Sequence, residues 1–342
     1  MRKVCSQAGN QQNQNTDFYQ NEMRFILRAS KQMEVHIMKA VMQTSYDGID
    51  ALRIIETPSP HGQLMSTLVN VHFVPVLPWD VKSEMGLLPN GHADHLPKIP
   101  GYGFSGIVNA SHLLGPAVGT RVVGATPTGS YAEIVNAPIP LYLFTLPDEV
   151  SLADAATIFG GADTAMMILN SVRLKATDHV LLIGASGGVG DYLAQLLTSR
   201  GIAFTILSSQ RSLAYTRQTF VDADIHSTVE ELANETFDYV LDTSGDVTTL
   251  GKIERTLKTN GVLFTSALPN YQPHRQDIRS QFNNNPIPPK QYQTIIHMLA
   301  TGQLVVHIDH IFSMQDVKTA QQRLLQSPSR GRVLLSINES TS

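Results

Sequence analysis

Cysteine is almost absent: Cys5 is the only one in 342 residues. An intrachain disulfide is therefore excluded, and a cysteine-built zinc site nearly so. A chain so poor in thiols fits the reducing cytoplasm. Charge is scarce as well. Charged residues make up 16% and the net charge is −4, with no Lys/Arg cluster interleaved with aromatics, so nucleic acid is not expected as a partner. Long apolar runs are missing too. No stretch reaches the roughly 18 consecutive apolar residues that a spanning helix needs, so the chain is expected to be soluble with no membrane partner.

What is present is apolar substance for two domains. Hydrophobic residues make up 42% of a length that suits two cores better than one. The first 37 residues stand apart. Gln7–Asp17 is rich in Gln and Asn and cannot bury a core, and Met23–Ala29 is too short and poorly framed for a secretory signal. Residues 1–37 are expected to be a flexible extension, with Met23, Met33 and Met38 all possible starts.

From Met38 to Phe159 short apolar runs alternate with Gly and Pro: Lys39–Gln43, Leu52–Glu56, Leu64–Phe73, Gly106–Val108, Thr120–Val123 and Tyr131–Val135. Frequent prolines forbid long helices there, and the pattern predicts a compact β domain. From about 160 to 285 apolar strands alternate with helices. Strands are expected at His179–Ile183, Ala203–Leu207, Tyr239–Asp242 and Gly261–Ser266, and helices at Leu152–Val172, Val189–Arg200, Leu213–Phe220 and Thr248–Leu257. That alternation predicts a doubly wound parallel sheet. Residues 286–342 return to mixed structure: helices Pro289–Thr301 and Met314–Gln326, strands His307–Phe312 and Arg332–Ile337, with Ser313 as an N-cap.

The strongest local signal is Gly184-Ala185-Ser186-Gly187-Gly188-Val189-Gly190. A small residue at Ala185 allows the tight turn. Gly187 lets the backbone approach a pyrophosphate, and Gly190 lets helix pack close on strand. The helix that follows presents free N–H groups to phosphate. With an apolar strand before it and a second strand about 20 residues on, the loop predicts dinucleotide binding. Asp191 suits the helix dipole but must point away from bound phosphates. The second strand runs into Ser208-Ser209-Gln210-Arg211, with no carboxylate to hold a ribose 2′-hydroxyl. Ser208, Ser209 and Arg211 instead suit a 2′-phosphate, so NADP(H) is favoured over NAD(H), unless Arg211 is simply a solvated loop residue.

Read in order, further motifs resemble the zinc-free medium-chain dehydrogenases/reductases, whose best-known branch is the quinone oxidoreductases. They are Asp80 with Gly86, Pro100–Gly106, Tyr131-Ala132-Glu133, Leu146-Pro147-Asp148, Thr164-Ala165, Leu241–Gly245 and Gly331–Leu335. The resemblance runs from Met38 to about Asn338. It implies an α/β protein: a GroES-like β-barrel catalytic domain (38–159, completed by 286–342) and an inserted Rossmann NADP-binding domain (160–285). It also implies a homodimer and an active cleft between the domains. Thr164 matches the family's threonine beside the nicotinamide. Thr243, Ser266 and Ala267 stand where the family approaches the cofactor.

Catalytic zinc in related alcohol dehydrogenases is held by Cys, His and Cys. The matching positions here are Leu77, Tyr102 and Gly160, so no metal is expected. His92-Ala93-Asp94-His95 lies in a Pro/Gly-rich loop with no partner cysteine and reads as solvated. Without a Lewis acid the substrate is expected to be a quinone or α,β-unsaturated carbonyl. Catalysis then rests on placing the nicotinamide C4 near the acceptor carbon in a dry cleft. Tyr102 reads either as a hydrogen-bond or proton donor or as a buried structural tyrosine. Lys82 and Trp79 are candidate cleft residues, and Asp80 reads as a cap. One departure matters: the Asn and Arg that quinone oxidoreductases often carry around that Asp are replaced by Leu77 and Glu84. Two other readings stay open, a cofactor-binding redox sensor without turnover and an alcohol or aldehyde dehydrogenase.

Overall fold

The structure is a computed structural model that describes residues 36–62, 66–88, 95–111, 115–138, 142–326 and 330–338. The chain divides between Ile37 and Met38. Apart from His36 and Ile37, the extension lies outside the described residues, and with it Cys5. So does the loop containing His92 and Asp94.

β1 (Ile37–Gln43) and β2 (Leu52–Pro58) pair as a ribbon. β3 (Ser66–Val76) is the long central strand of a second, seven-stranded sheet, and the short helix α1 (Pro78–Glu84) leaves directly from its end. That sheet continues with β4 (Gly103–Ser111), β5 (Arg121–Ala125), β6 (Ile134–Pro138) and β7 (Leu143–Thr145), all antiparallel. β-branched residues on alternate positions of β3 bury against Phe104, Val122 and Tyr131, which close a core of their own.

The expected helix Leu152–Val172 is two helices, α2 (Leu152–Ala156) and α3 (Asp163–Ser171). Between them the chain turns at Gly160, which takes φ +65°. Helical periodicity runs through this segment, but two adjacent glycines let the backbone turn there. The buried Arg332 guanidinium holds the turn from outside, donating to the carbonyls of Phe159 and Gly160 at 2.8 Å each.

The nucleotide-side sheet follows: β8 (His179–Ile183), α4 (Gly188–Ser199), β9 (Ala203–Leu207), α5 (Leu213–Thr219), β10 (Asp224–His226), β11 (Phe237–Asp242), α6 (Val247–Ile253), β12 (Leu257–Thr265) and β13 (Arg279–Gln281). All six strands are parallel, in the order β10-β9-β8-β11-β12-β13. The order reverses direction at β8, placing the Gly184–Gly190 loop at the switch point where such sheets bind ligands. The expected helix Thr248–Leu257 is shorter, because Leu257 already pairs with Phe237 of β11.

α7 (Pro289–Ala300) buries Tyr292, Ile295 and Ile296 in the same apolar cluster as Leu193 and Ile206. That cluster also holds Val123 and Phe144 of the first sheet, which the chain then rejoins with β14 (Ile308–Ser313). α8 (Val317–Gln326) and β15 (Arg332–Ser336) complete it, β15 pairing antiparallel with β3.

Glu84, which stands where the family often has Arg, does not face the cleft. It is fully buried at the end of α1, accepting from Gln321 Nε2 at 2.8 Å. Burial, with Asp80 nearby, pushes its carboxyl up to about 8. A neutral carboxyl carries a proton to donate, and the Oε1 atoms of Gln43 and Gln321 are buried without donors. The unfolded chain titrates near 4.5, so this group's stabilisation is complete below that pH and drains as pH rises to about 8. Glu84→Gln is expected to be more stable than the parent in alkaline buffer. Its advantage should grow by up to about 1.4 kcal/mol per pH unit across that window. Urea unfolding between pH about 5 and 8.5 checks this, and parallel curves for the two proteins would refute it.

Candidate active site

Between the two sheets lies a cleft of about 520 Å³, lined by α1, the Phe159–Thr164 turn, the start of α4, the ends of β11 and β12, and Asn283–Ile287. That volume suits a small molecule with part of a cofactor.

The three positions where zinc dehydrogenases place ligands converge here. A Cβ built on Gly160 would lie 2.7 Å from Leu77 Cδ1 and 3.1 Å from the Tyr102 hydroxyl. The donor set they offer is one phenol and no thiolate or imidazole, which does not fit a zinc ion. Among the described residues no group of three His, Cys, Asp or Glu stands together.

α1 owes its start to Asp80. This buried side chain accepts from Leu77 N at 3.1 Å and from the Tyr131 hydroxyl at 2.9 Å. Burial raises its carboxyl to about 6, against these hydrogen bonds. Asp80 is thus the expected cap, and the helix it starts sends Trp79 and Lys82 to the cleft. Lys82 Nζ reaches across to the Ala267 carbonyl at the end of β12, 3.1 Å away.

The wall opposite is aromatic. Tyr292 stacks on Phe159 and on Phe144, each with ring centroids 5.0 Å apart, and meets Tyr142 edge-on at 5.6 Å. Tyr102 stands edge-on to Phe159. Burial, with the Asp163 carboxyl nearby, raises the Tyr102 phenol, so it is held as a donor rather than a phenolate. Asp163 lies in the lining, its own carboxyl raised by burial. Four donors hold it: the amides of Gly161 and Thr164, the Thr164 hydroxyl, and Tyr292 Oη at 3.2 Å. Asp163, Tyr292 and the Asn283–Asn285 run were not legible as site residues. The only signal was a lone acid inside an apolar helical stretch.

Thr164, Val189, Thr243, Ser266 and Ala267 all line this cleft, as the sequence reading expects of cofactor contacts. Their hydroxyls are partly committed: Thr243 Oγ1 donates to the Ile183 carbonyl at 3.0 Å, and Ser266 Oγ to the Asp242 carbonyl at 3.3 Å. Beyond Val189 the glycine loop is closely packed. A Cβ on Gly190 would come 2.2 Å from the Gly184 carbonyl oxygen, so backbone packs directly on backbone. Gly187 pairs with Gly331 as an isolated bridge, and the Ser186 carbonyl accepts from Gly331 N at 2.9 Å. Ala185 is buried beneath the turn. Gly188 lies against Arg332, whose Cδ would be 2.0 Å from an added Cβ. The loop is thus sealed from behind, leaving the first-turn amides of α4 as its polar face. Asp191 points away, held by His307 Nδ1 at 2.8 Å and Gln195 Nε2 at 3.2 Å.

At the end of β9 the candidates divide. Ser208 is buried and its hydroxyl meets Thr216 Oγ1 at 2.9 Å, so its side chain is turned from solvent. Ser209 and Arg211 are exposed.

Residues 207–335 match the family described as zinc-binding dehydrogenase. The human protein "Synaptic vesicle membrane protein VAT-1 homolog-like" is 29% identical over 214 residues, 60% of this chain and 50% of that protein. The chain thus spans about half the length of that relative. A "Probable quinone oxidoreductase" of Schizosaccharomyces pombe is 26% identical over 271 residues, 71% of this chain and 82% of that one. Among solved structures, the quinone oxidoreductase from Coxiella burnetii superposes with a TM-score of 0.78 at 23% identity, covering 89% of this chain and all of that one. A barrel-like sheet joined to a parallel sheet, with the cleft between them, is the fold shared with that solved structure, and in the matched segment and the relatives above the chain is similar to the medium-chain dehydrogenases/reductases, quinone oxidoreductases among them.

Proposed function

We propose that this protein is a zinc-independent, NADPH-dependent oxidoreductase that passes hydride to a quinone or an α,β-unsaturated carbonyl. The observation that carries the reading is the convergence of Leu77, Tyr102 and Gly160 in a cleft that runs into the glycine loop. A nicotinamide cofactor bound there supplies the hydride. The chain's own part is to bind, orient and keep dry. The first-turn amides of α4 would hold the pyrophosphate, and Thr164 and Val189, which line the cleft, would contact the nicotinamide. The stacked Phe159 and Tyr292, backed by Phe144, favour a flat conjugated acceptor and exclude water. Tyr102, whose hydroxyl makes no hydrogen bond among the described residues, can donate to the acceptor.

NADPH oxidation by the purified protein against a panel of quinones and enones, with NADH in parallel and a chelator added, tests this reading. Turnover that prefers NADPH and survives chelation is expected. Cofactor binding with no turnover would favour a redox sensor, and loss of turnover on chelation an alcohol dehydrogenase-like enzyme. Preference for NADPH should rest on the exposed guanidinium of Arg211. Arg211→Ala is expected to weaken NADPH about tenfold while leaving NADH within about twofold, since only NADPH brings a 2′-phosphate to it. Equal losses for both cofactors would remove Arg211 from the site.

A further inference from the structure

Among the described residues Lys82 is the only lysine or arginine that lines the cleft. Its ammonium has three N–H bonds to give. Among the described residues one goes to the Ala267 carbonyl, 3.1 Å away, and the others are left for a ligand. The one carboxylate in the lining does not absorb them, because Asp163 is already held by two amides, the Thr164 hydroxyl and the Tyr292 phenol. The walls are largely apolar, with Leu77, Met167, Phe159 and Ile287 among them, so a charge here acts through a low dielectric. Beside it the Tyr102 phenol is the neutral donor at the zinc-ligand positions, so among the described lining residues the cation is Lys82.

We propose that Lys82 is the electrophile of the cleft, its ammonium receiving the carbonyl oxygen of the acceptor as negative charge gathers there. The proposal rests on the reductase reading and deepens it by naming the group that receives the acceptor's oxygen. As the β-carbon of an enone accepts the hydride pair, its C=C π pair shifts toward the carbonyl and leaves an enolate oxygen hydrogen-bonded to Lys82. A proton from water then forms the α-carbon–hydrogen bond and the carbonyl is restored. NADPH and one proton are consumed, and NADP⁺ and the saturated ketone are released. With a quinone the same oxygen becomes the phenolate of the hydroquinone. The Ala267 carbonyl orients the ammonium from the nucleotide side, so the catalytic cation is set where the two sheets approach.

The test uses 4-nitrophenol, whose anion mimics the enolate and absorbs visibly where the neutral phenol does not. Bound to the parent protein, it should ionise about one pH unit below the free phenol, a roughly tenfold preference for the anion. In Lys82→Met that preference should vanish, and in Lys82→Arg most of it should remain. Lys82→Gln keeps an N–H donor without charge. It should behave like Lys82→Met if charge matters, and like the parent if Lys82 only ties α1 to Ala267. In turnover assays Lys82→Met should lose about 100-fold in kcat, with NADPH affinity by fluorescence titration within about twofold of the parent. Equal nitrophenol ionisation in all four proteins, or no nitrophenol binding by the parent, would overturn the role given to Lys82. The acceptor panel judges the reductase reading separately, because ionisation of the bound phenol requires no hydride transfer.

Discussion

Gly190→Val is expected to abolish dinucleotide binding, with NADPH affinity falling by about 1000-fold or more. The added Cβ would stand 2.2 Å from the Gly184 carbonyl oxygen, 2.6 Å from its carbon and 2.9 Å from the Ala185 Cα. All three are backbone atoms, so no side-chain rotation relieves the contact. Either α4 moves away from β8 or the Gly184–Gly187 turn opens, and both displace the first-turn amides that would face a pyrophosphate. A site built from backbone donors loses much when its geometry shifts by an ångström, because every donor moves together. Fluorescence titration with NADPH measures the loss, and far-UV circular dichroism checks that the fold persists. Unchanged affinity in a folded variant would show that the loop does not carry the phosphates.

The second large effect is expected at Arg332. It is 5% exposed and lies at the start of the strand, followed by the buried Val333, Leu334 and Leu335. Burial lowers its pKa, while Tyr192, Tyr102, Asp163 and Asp80 oppose that shift. Its guanidinium bonds the Phe159 and Gly160 carbonyls at 2.8 Å, and its stem covers Gly188. One side chain from the end of the chain thus joins the turn before α3 to the first residue of α4. Arg332→Met keeps much of the stem and removes the donors, stranding two buried carbonyls. The expected cost is about 2–5 kcal/mol, from two buried carbonyls left without donors at about 1–3 kcal/mol each. Urea denaturation reads it. NADPH affinity should fall as well, because Thr164 and Phe159 depend on that turn. A loss below about 1 kcal/mol would mean that the carbonyls find other donors.

Much of this was legible in the sequence, for identifiable reasons. The parallel strands are continuous apolar runs, and burial on both faces permits little else, so β8, β9 and β11 fall where the pattern puts them. The glycine loop is legible because the backbone there tolerates no Cβ at Gly190. Short strands with no pattern of their own were missed: β7, β10 and β13 have three residues each and exist by pairing with a neighbour. The break between α2 and α3 was missed because local periodicity continues through it. What decides the turn is a guanidinium from about 170 residues further on.

The same division holds for the site. Leu77 and Glu84 both depart from the family's pattern around Asp80, and in sequence they looked like one change to one substrate handle. In space Leu77 lines the cleft while Glu84 is buried against Gln321, because Leu77 precedes the helix in extended backbone (φ −115°, ψ 144°) and Glu84 is its last residue. Ser208 and Ser209 are equally polar neighbours at a strand end, yet only one hydroxyl is turned inward, to Thr216. The sequence alone determined the two sheets, the phosphate loop and the residue types at the zinc-ligand positions, since each rests on local pattern or on residue chemistry. Tertiary structure alone decided that Asp163 and Tyr292 join Lys82, already a candidate from the sequence, in one cleft, because they come from α3, α7 and α1, and only packing of the two sheets brings those elements together.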